Sequence, residues 1–323
     1  MRIGIYKDTL SNKRGADAAI IAFVEGLRER GHDAVLFEKP DFAKRMDETW
    51  DVIISTGTNE LLDLYAHTSG RNFPWPVVQQ FHTNPKSQFK WKRFRRNHLI
   101  KKALRRVCAI QVLSGIFVPQ VARYGVKVAV IPNWCTNGTA GAKPPQDNSY
   151  LSKIIYPAFF GGKKNQRLLI KAFEKISRDF PEWTVELYGN GKVPKKLPER
   201  VIAKGFCDLR EAYSECAFVA FPSLDEGFPM TLTEAAMFGK TFLAVKDWIG
   251  VGDGRGCLLA DNTASSYAKG LRRLMSDPGL CSELGRNARE ICLSEYSKEK
   301  VLDMWLNLLT DARSADNRCE VRQ

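Results

Sequence analysis

Phe221-Pro-Ser-Leu-Asp-Glu-Gly-Phe-Pro-Met-Thr-Leu-Thr-Glu-Ala-Ala-Met-Phe-Gly239 reads as a strand, a loop and a helix in close succession. An apolar run ends at Pro222, a loop carries Glu226-Gly227-Phe228-Pro229, and a helix is predicted to open near Met230 with Glu234 in its first turns. Ligands of open α/β sheets bind beyond the carboxyl ends of the strands, where loops meet helix N-termini. A helix opening there offers unpaired backbone N–H groups and a partial positive charge, which suits a diphosphate. Gly227 lets the backbone come close to a ligand. Glu234 can accept two hydrogen bonds from a vicinal diol such as a ribose, and Glu226 can accept from sugar hydroxyls, because each carboxylate oxygen accepts strongly and the pair matches neighbouring hydroxyls.

Outward from this window, short apolar runs alternate with helical spacing. In the second half, strands are predicted at Ile154–Phe160, Thr184–Tyr188, Val201–Lys204, Phe218–Pro222, Phe242–Val245 and Cys257–Leu259, and helices at Asn165–Ser177, Met230–Phe238, Ser265–Met275 and Pro278–Glu295. In the first half, strands are predicted at Ile3–Tyr6, Ala34–Phe37, Val52–Ser55, Val77–Phe81, Ile110–Leu113 and Val126–Ile131, with a helix at Ala16–Arg30. Regular alternation of this kind implies parallel sheets covered by helices. The fold class expected is α/β: two tandem Rossmann-like domains with an interdomain cleft. The boundaries read as a first domain over residues 1–136, a polar linker over 137–150, a second domain over 151–296, a crossover helix over 297–312 that returns to the first domain, and a frayed tail over 313–323.

The spacing of Glu226 and Glu234 alone is common, but the full pattern P-S-x-x-E-G-F-P-x-x-x-x-E-A-x-x-x-G is specific. It resembles the donor-binding signature of retaining glycosyltransferases with the GT-B fold, in particular the family 4 group. Phe160-Gly-Gly-Lys-Lys-Asn-Gln-Arg-Leu-Leu-Ile-Lys-Ala-Phe173 is similar to that family's glycine turn and following helix, and Trp183–Gly191 to the next strand and glycine turn. Gly15-Ala-Asp17 and Arg30-Gly-His32 look like its first glycine loop and Gly-His turn, with His32 read as a turn residue ahead of a ligand. The resemblance implies that Glu226 contacts the transferred sugar and Glu234 the ribose. Gly227, Phe228 and Pro229 would lie against the diphosphate or sugar, with the Gly227 and Phe228 amides as donors. Lys164 would neutralise the leaving diphosphate, Gly15 would sit near the donor phosphates, and His82 near the reacting sugar, unless it merely caps or packs after its strand. Where the family usually has an Arg before the Lys, this chain has Gly161-Gly162-Lys163-Lys164, so Lys163 is the candidate second cation; a lysine supplies charge without the bidentate fork of arginine. Asp225 reads as a solvated loop carboxylate.

The formal charge of +13 has one source. Residues 64–146 contain no Asp or Glu, so the basic excess belongs to the first half. Its densest part, with Lys90, Trp91, Lys92, Arg93, Arg95 and Arg96, interleaves cations with aromatic side chains and reads as a membrane or acceptor patch. Nucleic acid shares that footprint, but no recognised nucleic-acid module accompanies it. The eight cysteines are scattered without a C-x-x-C pair and are expected as reduced core thiols. Neither a signal-peptide pattern nor a membrane-length apolar run is present, so the expected location is the cytosolic side, with peripheral contact on the inner face of the membrane.

Taken together, a glycosyltransferase is expected that moves a sugar from a nucleotide-diphosphate sugar, UDP before GDP, to a glycan or lipid-linked acceptor. The nucleotide sugar is a co-substrate, and neither a cofactor nor a metal is required by the scheme. A non-catalytic nucleotide-sugar or membrane-binding protein of the same fold is the alternative. A sugar-nucleotide epimerase would share the architecture but not the E-G-F-P…E window.

Overall fold

A computed structural model describes residues 1–10, 15–89, 93–135 and 151–320. The chain divides into two compact units, residues 1–133 with 298–323, and residues 134–297.

The first unit contains β1 (Arg2–Tyr6), α1 (Gly15–Glu29), β2 (Asp33–Phe37), α2 (Phe42–Met46), β3 (Val52–Ser55), α3 (Thr58–His67), β4 (Val77–Phe81), α4 (Phe94–Leu104), β5 (Ala109–Val112), α5 (Val118–Val121) and β6 (Lys127–Val130). All its strand pairs are parallel, in the order β2-β1-β3-β4-β5-β6. Ile3, Ile5, Val52, Ile53 and Ile54 are fully buried, as expected of parallel strands covered on both faces, which read as unbroken apolar runs. Four helices of this unit, α2, α3, α4 and α5, were not among the predicted elements. The apolar residues that α4 buries, Ile100, Ala103 and Leu104, are embedded in a run of cations that hides their spacing.

The second unit contains β7 (Lys153–Pro157), α6 (Gln166–Ile176), β8 (Thr184–Tyr188), β9 (Val201–Gly205), α7 (Arg210–Glu215), β10 (Phe218–Phe221), α8 (Met230–Met237), β11 (Phe242–Ala244), β12 (Leu258–Leu259), α9 (Ala264–Ser276) and α10 (Pro278–Glu295). Its sheet is parallel too, in the order β12-β11-β10-β7-β8-β9. Asp277 caps α10 by accepting from Leu280 N at 2.8 Å, and Pro278 follows at the position where a missing N–H costs nothing.

The last helix, α11 (Lys298–Glu320), belongs to the first unit and extends eight residues beyond the predicted end at 312. Val301, Leu302, Trp305, Leu308, Leu309 and Ala312 form its buried stripe. The Trp305 ring lies 4.8 Å from that of Phe23, and Lys127 bonds Asp311 at 2.6 Å. Among the described cysteines, 216, 257, 281 and 292 are buried, whereas Cys207 is exposed, outside the expected core. No described helix is long and apolar enough to cross a membrane.

Candidate functional site

In the second sheet the chain runs outward from β7 through β8 to β9, then returns to lay β10, β11 and β12 on the other side. The crevice of such a sheet lies where the order reverses, beyond the carboxyl ends of β7 and β10. The loops that follow these two strands are the ones that carry the sequence motifs.

These loops are tied together by named bonds. Leu224 N donates to Lys163 O at 2.9 Å, fastening the acidic loop to the lysine turn. Asn165 adopts the left-handed conformation (φ 57°, ψ 34°) between that turn and α6, and its Nδ2 donates to Pro222 O at 3.2 Å and Asn262 Oδ1 at 2.9 Å. An Asn tolerates this conformation where most side chains clash. Gly189, with φ +136°, ends β8 so close to β7 that an added Cβ would stand 2.3 Å from Ala158 O. The glycine turn is thereby a wall of the β7 loop.

The charges of the site are paired. Lys164 Nζ donates to Glu226 Oε1 at 2.5 Å, and the Ser223 hydroxyl donates to the same oxygen. These two side chains are 29% and 11% exposed, so the pair is reachable but shielded. Tyr156 OH donates to Lys164 O at 2.7 Å and holds the turn from beneath. Lys163, 68% exposed, pairs with Asp225, 22% exposed, which corrects the reading of Asp225 as a solvated carboxylate. The candidate second cation is therefore already engaged by an acid.

Beyond Glu226, the N–H groups of Gly227 and Phe228 donate to no backbone carbonyl among the described residues, and both residues are buried. The Phe228 ring packs edge-on against Tyr296 at 5.1 Å. Pro229, buried, precedes α8 in extended conformation, and the helix begins with no side-chain cap. Glu234 lies in α8 with Oε2 3.0 Å from Tyr213 OH, which also stands 3.2 Å from Thr231 O. Burial raises the Glu234 pKa above the ordinary carboxylate range, and the Tyr213 bond opposes that rise. Ser223, Tyr213, Tyr156 and Asn165 were missed as site residues. Ser223 and Asn165 stood in the quoted motifs; the two tyrosines carried no local signal.

In the first unit, His82 follows β4 directly. The residue is half-buried, yet both ring nitrogens are covered and have no hydrogen-bond partner among the described residues. Burial, with the charge of Lys7, lowers its pKa to about 4. Lys7, just past β1, bonds Glu60 Oε1 at 3.0 Å. Gly15 opens α1. Of the predicted patch, Lys90, Trp91 and Lys92 lie outside the described residues, and Arg93 and Arg95 are exposed. Arg96 turns inward: its guanidinium donates to Gln88 O at 3.1 Å, Thr58 Oγ1 at 3.0 Å and Asn59 Oδ1 at 2.7 Å, which corrects its assignment to the patch. Among the described residues, no group of three His, Cys, Asp or Glu side chains is placed to hold a metal ion.

Two Rossmann-like units, each with a six-stranded parallel sheet, define the GT-B fold of glycosyltransferases. Residues 144–291, which make up most of the second unit, match the family model described as Glycosyl transferases group 1. A structure of Anabaena Alr3699/HepE in complex with UDP and glucose superimposes with a TM-score of 0.76 at 18% identity, covering 96% of this chain and 99% of that one. An exopolysaccharide phosphotransferase, SCO2592, of Streptomyces coelicolor is 25% identical over 201 residues, 57% of this chain and 21% of that protein. A poly(ribitol-phosphate) alpha-N-acetylglucosaminyltransferase of Staphylococcus aureus is 26% identical over 156 residues, 44% of this chain and 32% of that protein. The matched stretches span less than half the length of these curated relatives.

Proposed function

We propose that the protein is a glycosyltransferase that takes a sugar from a nucleoside-diphosphate sugar, with UDP favoured and GDP next. The sugar passes with retained anomeric configuration to a glycan or lipid-linked acceptor, in the synthesis of cell-surface polysaccharide, lipopolysaccharide or glycolipid. The observation that carries this reading is the Lys164–Glu226 pair, held by Ser223 at the β7/β10 reversal beside the Gly227 and Phe228 amides. The UDP in the HepE structure and the polymer-directed names of the two relatives support it.

The chemistry follows from where charge develops. As the anomeric C–O bond breaks, its electron pair goes to the β-phosphate oxygen and positive charge builds on the sugar. Lys164, the two amides and the N-terminus of α8 stabilise the departing diphosphate, the largest electrostatic need of the step. Glu226, released from Lys164 as the phosphate arrives, accepts bonds from sugar hydroxyls and orients the ring. The acceptor oxygen bonds on the face the diphosphate leaves, and its proton passes to the leaving phosphate oxygen, so no enzymic nucleophile is needed. Glu234 takes the ribose diol. A cytoplasmic location is part of the same proposal.

A panel of UDP- and GDP-sugars tested by thermal shift examines this directly. A bound donor at a hundred times its Kd stabilises the fold by about 2.7 kcal/mol. The shift should appear with one donor and vanish in Lys164→Ala and Glu234→Ala. A folded protein that responds to no nucleotide sugar would remove the proposal. The occupied Lys163 and the missing arginine favour a second reading, a binder without turnover, which predicts a donor shift with no sugar transfer to any acceptor.

A further inference from the structure

The helix α4 is built against its own stability. It begins at Arg93 with no side-chain cap, places Arg95 in its first turn and continues to Lys101 and Lys102, with Arg105 as its last cap. Cations at a helix N-terminus oppose the macrodipole, and like charges three or four residues apart repel. An ordinary solvated helix would offset this with carboxylates, but residues 64–146 have none. Among the described residues, no ion pair involves Arg93, Arg95, Lys101, Lys102 or Arg105.

The direction of the helix adds a second observation. Ile100, Ala103 and Leu104 face the core and are fully buried, so the stripe of Phe94, His98, Lys102 and Arg105 faces away. Phe94 is 78% exposed and Leu99 42% exposed, large apolar side chains standing among the cations. A cationic helix face that also presents apolar groups fits the boundary of a bilayer, where phosphates meet the first methylenes. A nucleic-acid groove would account for the cations but not for an aliphatic Leu99 beside them.

We propose that the outer face of α4 docks on an anionic lipid surface, with Arg95, Lys102 and Arg105 on headgroup phosphates and Phe94 at headgroup depth. This places the membrane contact on α4 itself and leaves out the inward-facing Arg96. It rests on the first unit alone and is independent of the donor-site reading.

The test is cosedimentation of the full chain with vesicles of phosphatidylcholine, with and without phosphatidylglycerol. The wild type should sediment only with the phosphatidylglycerol vesicles. Each cation near the surface contributes about fivefold in partition, so Arg95→Ala with Lys102→Ala and Arg105→Ala should weaken binding by about a hundredfold. Phe94→Ala should weaken it by about fivefold, and this loss should persist at salt concentrations that screen the cations. Lys102→Gln with Arg105→Gln gives a milder variant, and an unchanged melting curve shows that it folds. Equal binding to both vesicle types, undiminished binding by the folded variants, or loss of binding to duplex DNA with vesicle binding intact would each overturn the proposal.

Discussion

Each unit of the molecule places a lysine in the loop that follows a strand at the reversal of its sheet and pairs it with a glutamate, yet the two pairs differ in burial. Lys7 and Glu60 are 18% and 4% exposed, and Glu60 Oε1 also accepts from Asp8 N at 3.0 Å. Lys164 and Glu226 are 29% and 11% exposed and stand beside backbone amides that no loop carbonyl engages. The first pair is the more deeply buried; the second lies beside amides that no backbone carbonyl among the described residues engages. Exposure and leftover hydrogen-bonding capacity, not the ion pair itself, separate a brace from the binding site proposed above.

The sharpest way to break this comparison is to remove each lysine. Lys164→Ala should lower kcat by about 10²–10³, on the order of 3–4 kcal/mol of transition-state stabilisation, with a small change in stability, as read by transfer assays and melting curves. Lys7→Ala should do the reverse, costing about 3 kcal/mol of stability by leaving Glu60 buried without its cation, as read by urea unfolding. Equal stability losses in the two variants would erase the distinction.

His82 gives an effect of on the order of 2–3 kcal/mol. Its pKa of about 4 in the fold lies below the ordinary 6.5, so the unfolded chain binds more protons between these values. Stability should therefore fall as pH drops from about 6.5 towards 4, and His82→Gln should flatten that part of the curve.

Glu234 carries the opposite sign, because its pKa is raised. The folded protein binds the extra proton, so stability without donor declines as pH rises through the raised value, and Glu234→Gln should remove that decline. Tyr213→Phe deletes the bond that opposes the rise. It should weaken donor binding by about 1 kcal/mol and move the acid limb of binding to higher pH, as measured by calorimetry. The smallest effect belongs to Asp225→Asn, whose partner Lys163 is mostly exposed: less than about 1 kcal/mol in melting experiments.

The strands were legible because parallel strands buried on both faces write continuous apolar runs, such as Ile3–Tyr6 and Val52–Ser55. The motif loops were legible because Gly189, Asn165 and Gly227 are residue types suited to close approach or unusual backbone. α4 was not, since three buried apolar residues inside a cationic run leave too weak a period. The direction of Arg96 was also hidden, because its acceptors, Thr58, Asn59 and Gln88, come from separate loops and helices. Tyr213 reaches Glu234 across 21 residues, and no local spacing announces such a contact.

The return of α11 to the first unit has a consequence for synthesis. Residues 134–297 are contiguous and can form their sheet as soon as they leave the ribosome, whereas the unit begun at Met1 must wait for Trp305 and Leu309 to cover it. The half translated first is thus finished last. In released chains truncated at residue 297, protease resistance should appear over the second unit while the first is still being cut, which makes α11 the latch on the order of maturation.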